Sequence, residues 1–431
     1  MATDTGTART DVPPAVDAPP HSRLLAPASK RSFAEHLAWY GDLPATNPSL
    51  IGEVERSGLR GKGGARFPTA TKLAAVASRR RAVVVANGTE GEPASTKDLV
   101  LMSHVPHLVL DGAVVAAEMV GAGEVIFCIK RGSVVQPMLE RALAERAASS
   151  YDSVVIRIVG APNRYVSGEE SALVNWLNGG DAKPTVVPPR PFERGVDGRP
   201  TLVQNVETLA DLALISRFGS AWYRSAGTAD DPGTTLVTLS GAVARPGVCE
   251  VPFGVRIGDV LRVAGADPAD LSGVLVGGYF GAWLPASIAA DVRIGVDELK
   301  RVGGGLGAGI VVAMPARGTC ALAELARATR WLADQNAGQC GPCVNGLDAI
   351  AGAIAELVAG GAGSGRAETH LARWLGMMEG RGACKHPDGV TRFVASGLRV
   401  FSEEVVRHRR HGPCPDSQER ILPTPRTGGW R

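Results

Sequence analysis

In the first half of the chain, apolar runs typical of short buried strands alternate with segments that have the periodicity of amphipathic helices. Apolar runs typical of buried strands occur at residues 82–86, 124–129 and 153–159. Segments with helical periodicity separate these runs, at residues 106–120 and 133–148. Because strands that alternate with helices pair in parallel, this order predicts an α/β domain built on a parallel sheet.

Two glycine-rich stretches flank the first predicted strand. The first, GLRGKGGARFPT, covers residues 58–69, and the second, NGTEGEP, covers residues 87–93. Glycines let backbone N–H groups approach an anion closely, and Lys62 and Lys72 can add positive charge. The first stretch is not a Rossmann fingerprint, because Arg66 occupies the position of its last glycine. We therefore expect a phosphate site of another type, with an ordinary surface loop as the alternative.

Helical periodicity also surrounds the first glycine-rich stretch. Helices are predicted at residues 32–40, 49–58 and 69–81. The third of these begins directly after the stretch, so its N-terminus would favour a bound phosphate. The second stretch leaves the carboxyl end of a strand, where open α/β sheets bind ligands.

The pattern changes in the second half of the chain. Short strands with Gly/Pro turns are predicted at residues 236–241 and 248–252, followed by a helix at 256–264. From residue 319 onward the sequence becomes helical and predicts a small bundle, interrupted by a flexible glycine linker at 360–365. The four predicted bundle helices are 321–336, 343–359, 368–380 and 388–409.

Composition excludes several classes of protein. The 431 residues predict two or three domains, and a net charge of +3 gives no overall basic field for nucleic acid or an anionic membrane. The longest apolar run, near residues 108–120, contains Asp111 and Glu118 and falls short of the about 18 apolar residues that span a bilayer. The first 30 residues lack a signal-peptide core and predict a disordered arm and a cytoplasmic protein.

Seven cysteines with one C-x-x-C favour metal or cluster binding over disulfides.

Five motifs in a fixed order resemble the NADH-binding flavoprotein (F) subunit of respiratory complex I and the related flavoprotein subunits of NAD-reducing hydrogenases and formate dehydrogenases. They are the two glycine-rich stretches, YVSGEESAL at residues 165–173, the GRPT and QNVETL segments within 198–209, and CGPC at 340–343. The resemblance covers roughly residues 33 to 408. It implies a parallel-sheet FMN-binding domain, a small β-grasp (SLBB-like) domain and a C-terminal four-helix iron–sulfur bundle, although a generic α+β insert is an alternative for the middle part. The expected boundaries are 1–30 (arm), 31–232, 233–300, 301–411 and 412–431 (disordered tail).

The resemblance also implies which residues hold the cofactors. FMN is expected without covalent attachment, with NADH as the hydride donor, and no catalytic acid or base is expected because the flavin carries the chemistry. A glutamate at position 170 would accept a hydrogen bond from a ribose 2′-OH and repel a 2′-phosphate. The residues expected to border the dinucleotide are Phe67, Glu92, Tyr165 and Glu170. The residues expected to contact FMN are Gly61, Gly63, Gly64, Lys72, Asn87, Glu90, Gly168, Glu169, Gln204, Asn205 and Thr208.

Five positions depart from the family pattern around the nucleotide. Arg190 and Ala75 stand where the family has aromatic residues, and Val187 replaces a lysine, so adenine stacking is expected to be weaker. Arg66 replaces a glycine and Thr89 an aspartate, so a more positive pocket is expected. These changes favour either NADPH as a donor or a protein that no longer binds a nicotinamide nucleotide.

The cysteine motif is incomplete. The family holds a [4Fe–4S] cluster with C-x-x-C-x-x-C and a distant fourth cysteine, but Ala337 takes the place of the first cysteine here. The remaining ligands are Cys340, Cys343 and Cys384, and a fourth could come from Cys320, Cys414 or Asn336. A three-iron cluster, a zinc site that adds His386, and no metal at all are the alternatives.

The sequence therefore predicts an NADH dehydrogenase-like flavoprotein. It would take hydride from a reduced nicotinamide nucleotide onto FMN and pass electrons through an iron–sulfur cluster to a separate redox protein. A ferredoxin or another iron–sulfur protein is the expected partner, either free or at the edge of a membrane complex, because the chain carries no further cysteine sets. A ferredoxin-linked flavoprotein and a cofactor-depleted scaffold protein are the alternatives.

Overall fold

The computed structural model describes residues 22–25, 32–46, 49–414 and 420–431. Most of the predicted arm at 1–30 lies outside the described residues, and the part within them is packed on the protein. Leu24 is fully buried, and its backbone N–H donates to the Glu250 carboxylate at 2.8 Å.

The first part of the chain forms the predicted parallel sheet. Its strands lie in the order β3-β2-β1-β4, and every neighbouring pair is parallel. The fourth strand was not predicted, because it is short and ends in two polar residues. The strands are β1 (Val83–Gly88), β2 (Glu124–Lys130), β3 (Val155–Ala161) and β4 (Thr201–Asn205).

Eight helices within the described residues surround this sheet. The buried helices α5 and α8 cross so closely that a Cβ added at Gly112 would lie 1.8 Å from the Leu209 carbonyl oxygen, so this crossing requires a glycine. The helix α1 begins at a capping box in which Ser32 and Glu35 satisfy each other's backbone N–H groups. The helices are α1 (Phe33–Tyr40), α2 (Leu50–Ser57), α3 (Thr69–Ala77), α4 (Lys97–His104), α5 (Pro106–Val120), α6 (Gln136–Ala148), α7 (Glu170–Leu177) and α8 (Val206–Arg224).

The middle of the chain forms a separate five-stranded sheet in the order β6-β5-β9-β7-β8. Strand β9 lies in the centre of this sheet but follows residue 300, so the predicted boundary at 300 is too early, and the sheet ends at Pro315. Short helices cover the sheet. The elements are β5 (Thr234–Gly241), β6 (Gly247–Pro252), α9 (Ile257–Val263), β7 (Leu271–Val276), β8 (Ala282–Pro285), α10 (Ala286–Asp291), α11 (Val296–Arg301) and β9 (Ile310–Pro315).

The last part of the chain is helical, as predicted, but its described residues form five helices instead of four. The predicted helix at 388–409 is divided at Phe401, and the predicted linker at 360–365 is shortened because its last two residues begin a helix. A π-helical turn, Pro342–Gly346, precedes the second helix. The helices are α12 (Ala321–Asp334), α13 (Leu347–Ala359), α14 (Ser364–Met378), α15 (His386–Val400) and α16 (Ser402–His411).

Residues 420–431, expected to be part of a disordered tail, are packed along α12 and onto the parallel-sheet domain. The Glu324 carboxylate accepts from the N–H groups of Ile421 and Leu422 at 2.9 and 2.7 Å. Further along, the Trp430 carbonyl accepts from the N–H of Ala182 at 2.8 Å. This segment therefore ties the helical domain to the first domain.

One stretch among the described residues, Pro342–Ala359, is long and apolar enough to cross a membrane by itself, and the bent pair α4 and α5 would count as a second if taken as one span. Both are weak evidence for a membrane protein. Helix α13 packs between α12 and α14, and α5 is almost entirely buried under the sheet, so each has a place in a globular core.

Candidate functional site

The carboxyl ends of β1 and β4 bring two of the predicted motifs together. Asn87 and Asn205 lie opposite each other in the parallel register of these strands. The glycine loop at 58–69 lies against the same edge, because the N–H of Lys62 donates to Thr208 Oγ1 at 2.8 Å. Gln204 is buried one residue before Asn205, and its amide donates to Thr69 Oγ1 at 3.4 Å.

The glycine loop is closed by backbone hydrogen bonds at its base. Gly61 N–H donates to the Phe67 carbonyl at 2.9 Å. Among the described residues, the N–H groups of Gly63 and Gly64 make no hydrogen bond of normal geometry. A Cβ added at Gly63 would lie 3.4 Å from Asn205 Cβ, so the loop approaches the strand end closely. The loop thus offers backbone donors beside a polar strand end, which is the arrangement that binds a phosphate.

Two basic residues of this loop do not face the site. Lys62 is 3% exposed, and its ammonium donates to the Thr234 carbonyl at 2.6 Å. The Arg66 guanidinium lies 4.5 Å from the centre of the Phe253 ring and 3.7 Å from Asp231. The expectations that Lys62 charges the phosphate site and that Arg66 makes the pocket more positive are therefore wrong, because both side chains turn toward the second domain.

Lys72 and Glu170 form an ion pair across the site. The Lys72 ammonium donates to Glu170 Oε2 at 2.7 Å, and both side chains are partly exposed. Glu169, the preceding residue, is the N-cap of α7, and its carboxylate accepts from the N–H groups of Ser171 and Ala172. The protein's own Glu169 carboxylate therefore already occupies the N-terminus of α7.

The loop after β1 is fixed by its own side chains. Asn87 donates its amide to the Gly168 carbonyl at 2.9 Å and accepts from the Thr89 hydroxyl at 2.7 Å. A Cβ at Gly168 would lie 2.5 Å from Thr89 Oγ1. The Glu90 carboxylate accepts from Ser95 Oγ and from two N–H groups of the first turn of α4, so this predicted FMN contact caps a helix.

A buried ion network that was not predicted lies under the site. The Lys97 ammonium is 2.6 Å from Asp98 Oδ1 and 2.8 Å from Glu207 Oε2. Burial lowers the pKa of Lys97, but the two carboxylates outweigh it and raise the pKa overall. Asp98 in turn accepts from the Asn205 amide at 2.7 Å. The network therefore fixes the orientation of Asn205. In the sequence, the signal for this network was the Lys97-Asp98 pair at the start of the otherwise largely apolar helix α4.

Glu92 lies at the junction of all three parts of the chain. It accepts from the Tyr165 hydroxyl at 2.8 Å and from the N–H of Tyr279 at 2.9 Å. The Tyr165 ring packs edge-on against Trp331 of α12 and His386 of α15. Burial raises the pKa of Glu92 to about 7.

We expect the free energy of unfolding of Glu92→Gln to increase relative to that of the parent protein as the pH rises. The buried carboxyl stays protonated up to about pH 7, whereas the unfolded one ionises near 4.5, so the parent loses stability between these values. This shift corresponds to roughly 3 kcal/mol. The free energy of unfolding, measured by denaturant titration below and above this window, should show the variant gaining on the parent. Parallel pH profiles of the two proteins would contradict the assignment.

The residues expected around the adenine lie at the surface. Phe67 is 53% exposed and Val187 is 43% exposed. Arg190 is exposed, and its backbone N–H donates to Glu193 at 2.9 Å. A cleft of about 440 Å³ lies beside this loop, between α7 and residues 185–191, and its lining includes none of the predicted FMN contacts.

The three cysteines of the incomplete motif converge next to the first domain. Burial, with the neighbouring Cys340 sulfur, raises the pKa of Cys343 to about 12. Burial is also the main cause that raises the pKa of Cys384, and the charges of Glu169 and Cys340 add to it. Ala337 is buried close to the Cys343 thiol. A cluster here would lie close enough to Glu169 for the carboxylate charge to act on it.

Two family profiles match the chain. The Nuo51 FMN-binding domain matches residues 54–214, and the NADH-ubiquinone oxidoreductase-F iron-sulfur binding region matches residues 316–408. The chain is similar to the F 2 subunit of the NADH-quinone oxidoreductase of Rhizobium meliloti (strain 1021), with 31% identity over 86% of this chain and 91% of that protein. The corresponding F subunit of Mycobacterium tuberculosis is 32% identical over 86% of this chain and 87% of its own length.

A solved structure shares the fold. The NAD+-reducing [NiFe]-hydrogenase in its H2-reduced state superposes with a TM-score of 0.76 and 28% identity, covering 90% of this chain and 68% of that chain. The fold, the glycine loop and the adjacent thiols define an FMN- and iron–sulfur-containing flavoprotein oxidoreductase. The chain belongs to the family of NADH-quinone oxidoreductase F subunits. Together with the weak membrane signal, these similarities indicate a soluble or peripheral protein.

The residues present fit both groups. The glycine loop supplies backbone donors for a flavin phosphate, and the Asn87 amide, which uses one N–H on the Gly168 carbonyl, supplies a further donor. For the [4Fe–4S] cluster, Cys340, Cys343 and Cys384 supply three thiolates, and Ala337 leaves one iron without a protein thiolate from the motif. The alternative zinc set is not assembled among the described residues, because the donor atoms of Cys340, Cys343, Cys384 and His386 do not all lie within 4.8 Å of one another.

Proposed function

We propose that this protein oxidises NADH at an FMN held at the carboxyl ends of β1 and β4 and passes the electrons to a cluster on Cys340, Cys343 and Cys384. One observation carries the proposal: segments far apart in sequence meet at one edge of the parallel sheet. The glycine loop reaches Thr208, and the loop after β1 reaches Gly168. The Cys384 thiol lies close enough to Glu169 for the carboxylate charge to act on it, so the two centres would be neighbours.

When bound, FMN would accept hydride from NADH and release single electrons to the cluster. The chain's own residues would bind the flavin and orient it. The N–H groups of Gly63 and Gly64 have no competing partner among the described residues and would donate to the phosphate. Lys72 can balance the phosphate charge, and the Asn87 amide would offer the flavin a neutral hydrogen bond. Asn205, whose amide is held by Asp98, fixes the strand end beside it. The half-buried Glu92 and the buried Tyr165 would close the site toward the bundle and exclude water.

The nicotinamide nucleotide is proposed to be NADH because Glu170 lies at the open side of the site. Its carboxylate accepts from Lys72 and would repel a 2′-phosphate. Since Arg66 turns away, the extra positive charge expected from that residue does not reach the pocket. The exposed Phe67 ring and the loop around Arg190 would border the adenine without an aromatic stack from that loop.

The exposed adenine side favours a second candidate donor, a reduced ferredoxin acting on the same flavin. Anaerobic stopped-flow reduction of the protein by NADH, NADPH and reduced ferredoxin separates the candidates. We expect NADH to reduce the flavin fastest. Reduction by ferredoxin with no response to NADH would replace the proposed donor and leave the flavin site intact.

The downstream partner is proposed to be a separate iron–sulfur protein in the cytoplasm, because the relatives of this chain are named as subunits of larger enzymes. The described cysteines outside the motif do not offer a second cluster beside the first. Cys128 and Cys249 are buried in the two sheets. Electrons must therefore leave the chain after the first cluster.

We expect Gly168→Ala to weaken FMN binding about tenfold or more, because the new methyl group would displace Thr89 and with it Asn87. The flavin-to-protein absorbance ratio after purification measures this. The double variant with Thr89→Ala removes the oxygen that clashes, so it should regain part of the flavin. Equal flavin content in Gly168→Ala and the parent protein would place the flavin elsewhere.

A further inference from the structure

A second set of metal-ligating side chains lies in the helical domain. The His408 Nε2 atom is 3.2 Å from the Cys320 sulfur and 3.0 Å from the Cys414 sulfur. All three donor atoms lie within 4.8 Å of one another. Cys320 is 1% exposed and His408 is fully buried, whereas Cys414 is partly exposed. None of these residues belongs to the C-x-x-C motif.

This set is at the opposite end of the bundle from the other thiols. Cys320 is the N-cap of α12, whereas Cys340 follows the C-terminus of that helix. His408 contacts the Val358 carbonyl in the last turn of α13, whereas Cys343 precedes the first turn. These helices have 14 and 13 residues, so each separates the two sets by about 20 Å. One cluster cannot take ligands from both ends.

The donors are already oriented toward a common point. The Val358 carbonyl accepts from His408 Nδ1 at 2.8 Å, which leaves the lone pair of Nε2 pointing at the two sulfurs. The N–H of Ala323 donates to the Cys320 sulfur at 3.3 Å, as it would to a thiolate.

A carboxylate completes the set. Glu404 Oε2 lies 3.5 Å from the Cys320 sulfur and accepts from the N–H of Leu322 at 3.0 Å. The Arg407 guanidinium lies 3.2 Å from the Cys414 sulfur. The site thus offers two sulfurs, one imidazole nitrogen, one carboxylate oxygen and a neighbouring positive charge.

We propose that Cys320, His408, Cys414 and Glu404 bind one Zn²⁺ ion in a closed, structural site. Sulfur, imidazole and carboxylate donors in a set of four suit tetrahedral zinc. Zinc bonds of about 2.3 Å to sulfur and 2.0–2.1 Å to nitrogen place neighbouring donors roughly 3.6 Å apart, so the His408 nitrogen and each sulfur need to separate by a few tenths of an ångström. Glu404 lies outside the set of donors within 4.8 Å of one another, so its carboxylate has to turn further toward the ion.

Charge and protons balance in this site. Binding releases one proton from each of the two thiols to solvent. Two thiolates and one carboxylate then exceed the charge of Zn²⁺ by one, and Arg407 beside Cys414 offsets the excess. The ion would anchor Cys414, from which the chain continues to the segment 420–431 that packs on both α12 and the first domain.

Metal analysis of the full-length protein, purified without chelator under anaerobic conditions, tests the proposal by mass spectrometry of zinc and iron. We expect about one zinc per chain in addition to the iron of the cluster. Cys414→Ser should lose most of the zinc and keep the iron. Because Cys414 is partly exposed, this change is mild for folding. His408→Ala removes a different proposed ligand and is a second test for loss of zinc.

Cys384→Ser is the matched control, since it removes a thiol from the other end of the bundle. It should keep the zinc and lose iron. Zinc that disappears in Cys384→Ser but stays in Cys414→Ser would assign the ion to the cluster motif and overturn the proposal. A disulfide between Cys320 and Cys414 in zinc-free protein, detected by differential alkylation and peptide mass spectrometry, would overturn it as well.

Discussion

Replacing Cys384 by serine is expected to abolish the iron–sulfur cluster while the flavin remains. The cluster already lacks the cysteine that Ala337 replaces, so a second lost thiolate leaves two of the motif cysteines, too few to hold four irons. We expect iron content and the cluster absorbance to fall to background. NADH should still bleach the flavin, but electrons should no longer reach a protein acceptor.

Cys249→Ser is the control for this experiment. Cys249 is buried in β6 of the second sheet, away from the motif, and the variant should keep iron, flavin and electron transfer. Retention of the full iron content by Cys384→Ser would show that Cys384 is not a ligand. Two irons of the cluster would then need other ligands, because only Cys340 and Cys343 would remain from the motif.

Replacing Lys97 by methionine is expected to destabilise the protein by about 3–5 kcal/mol, because two buried carboxylates lose their shared cation. Asp98 and Glu207 both contact the Lys97 ammonium, and all three side chains are almost fully buried. Since Asp98 also holds Asn205, flavin binding should weaken together with stability. Denaturant unfolding and the flavin-to-protein ratio measure the two effects.

Two variants control this prediction. Lys300→Met changes an exposed lysine at the end of α11, and its effect should stay within about 0.5 kcal/mol. The double variant Lys97→Met with Glu207→Gln removes one of the two uncompensated charges and should recover part of the loss. If Lys97→Met were as stable as Lys300→Met, the buried network would not contribute to the fold as described.

The main architecture could be predicted from the sequence because it depends on local patterns. Strands β1, β2 and β3 are apolar runs between amphipathic helices, and their parallel pairing follows from that order. Strand β4 was missed because a short strand that ends in Gln204 and Asn205 has no apolar run. The central β9 strand was missed because its partners precede it by about forty to seventy residues, a relation that local patterns do not contain.

The structure brings predicted site segments together at one edge of the sheet, and their contacts with a cofactor stay a prediction. Motifs identified the segments that meet at the sheet edge, whereas side-chain directions depend on tertiary contacts. Lys62 reaches the carbonyl of Thr234, and Glu90 caps α4, although both looked like ligands of a cofactor. Cys320 and His408 meet across a separation of 88 residues, so no spacing rule could connect them.

Anaerobic titration with NADH, followed by visible absorption and electron paramagnetic resonance, tests the central proposal most directly. The flavin absorbance should bleach, and the signal of a reduced iron–sulfur cluster should then appear in the same sample. Purified protein without flavin, or flavin that stays oxidised in excess NADH, would contradict the account.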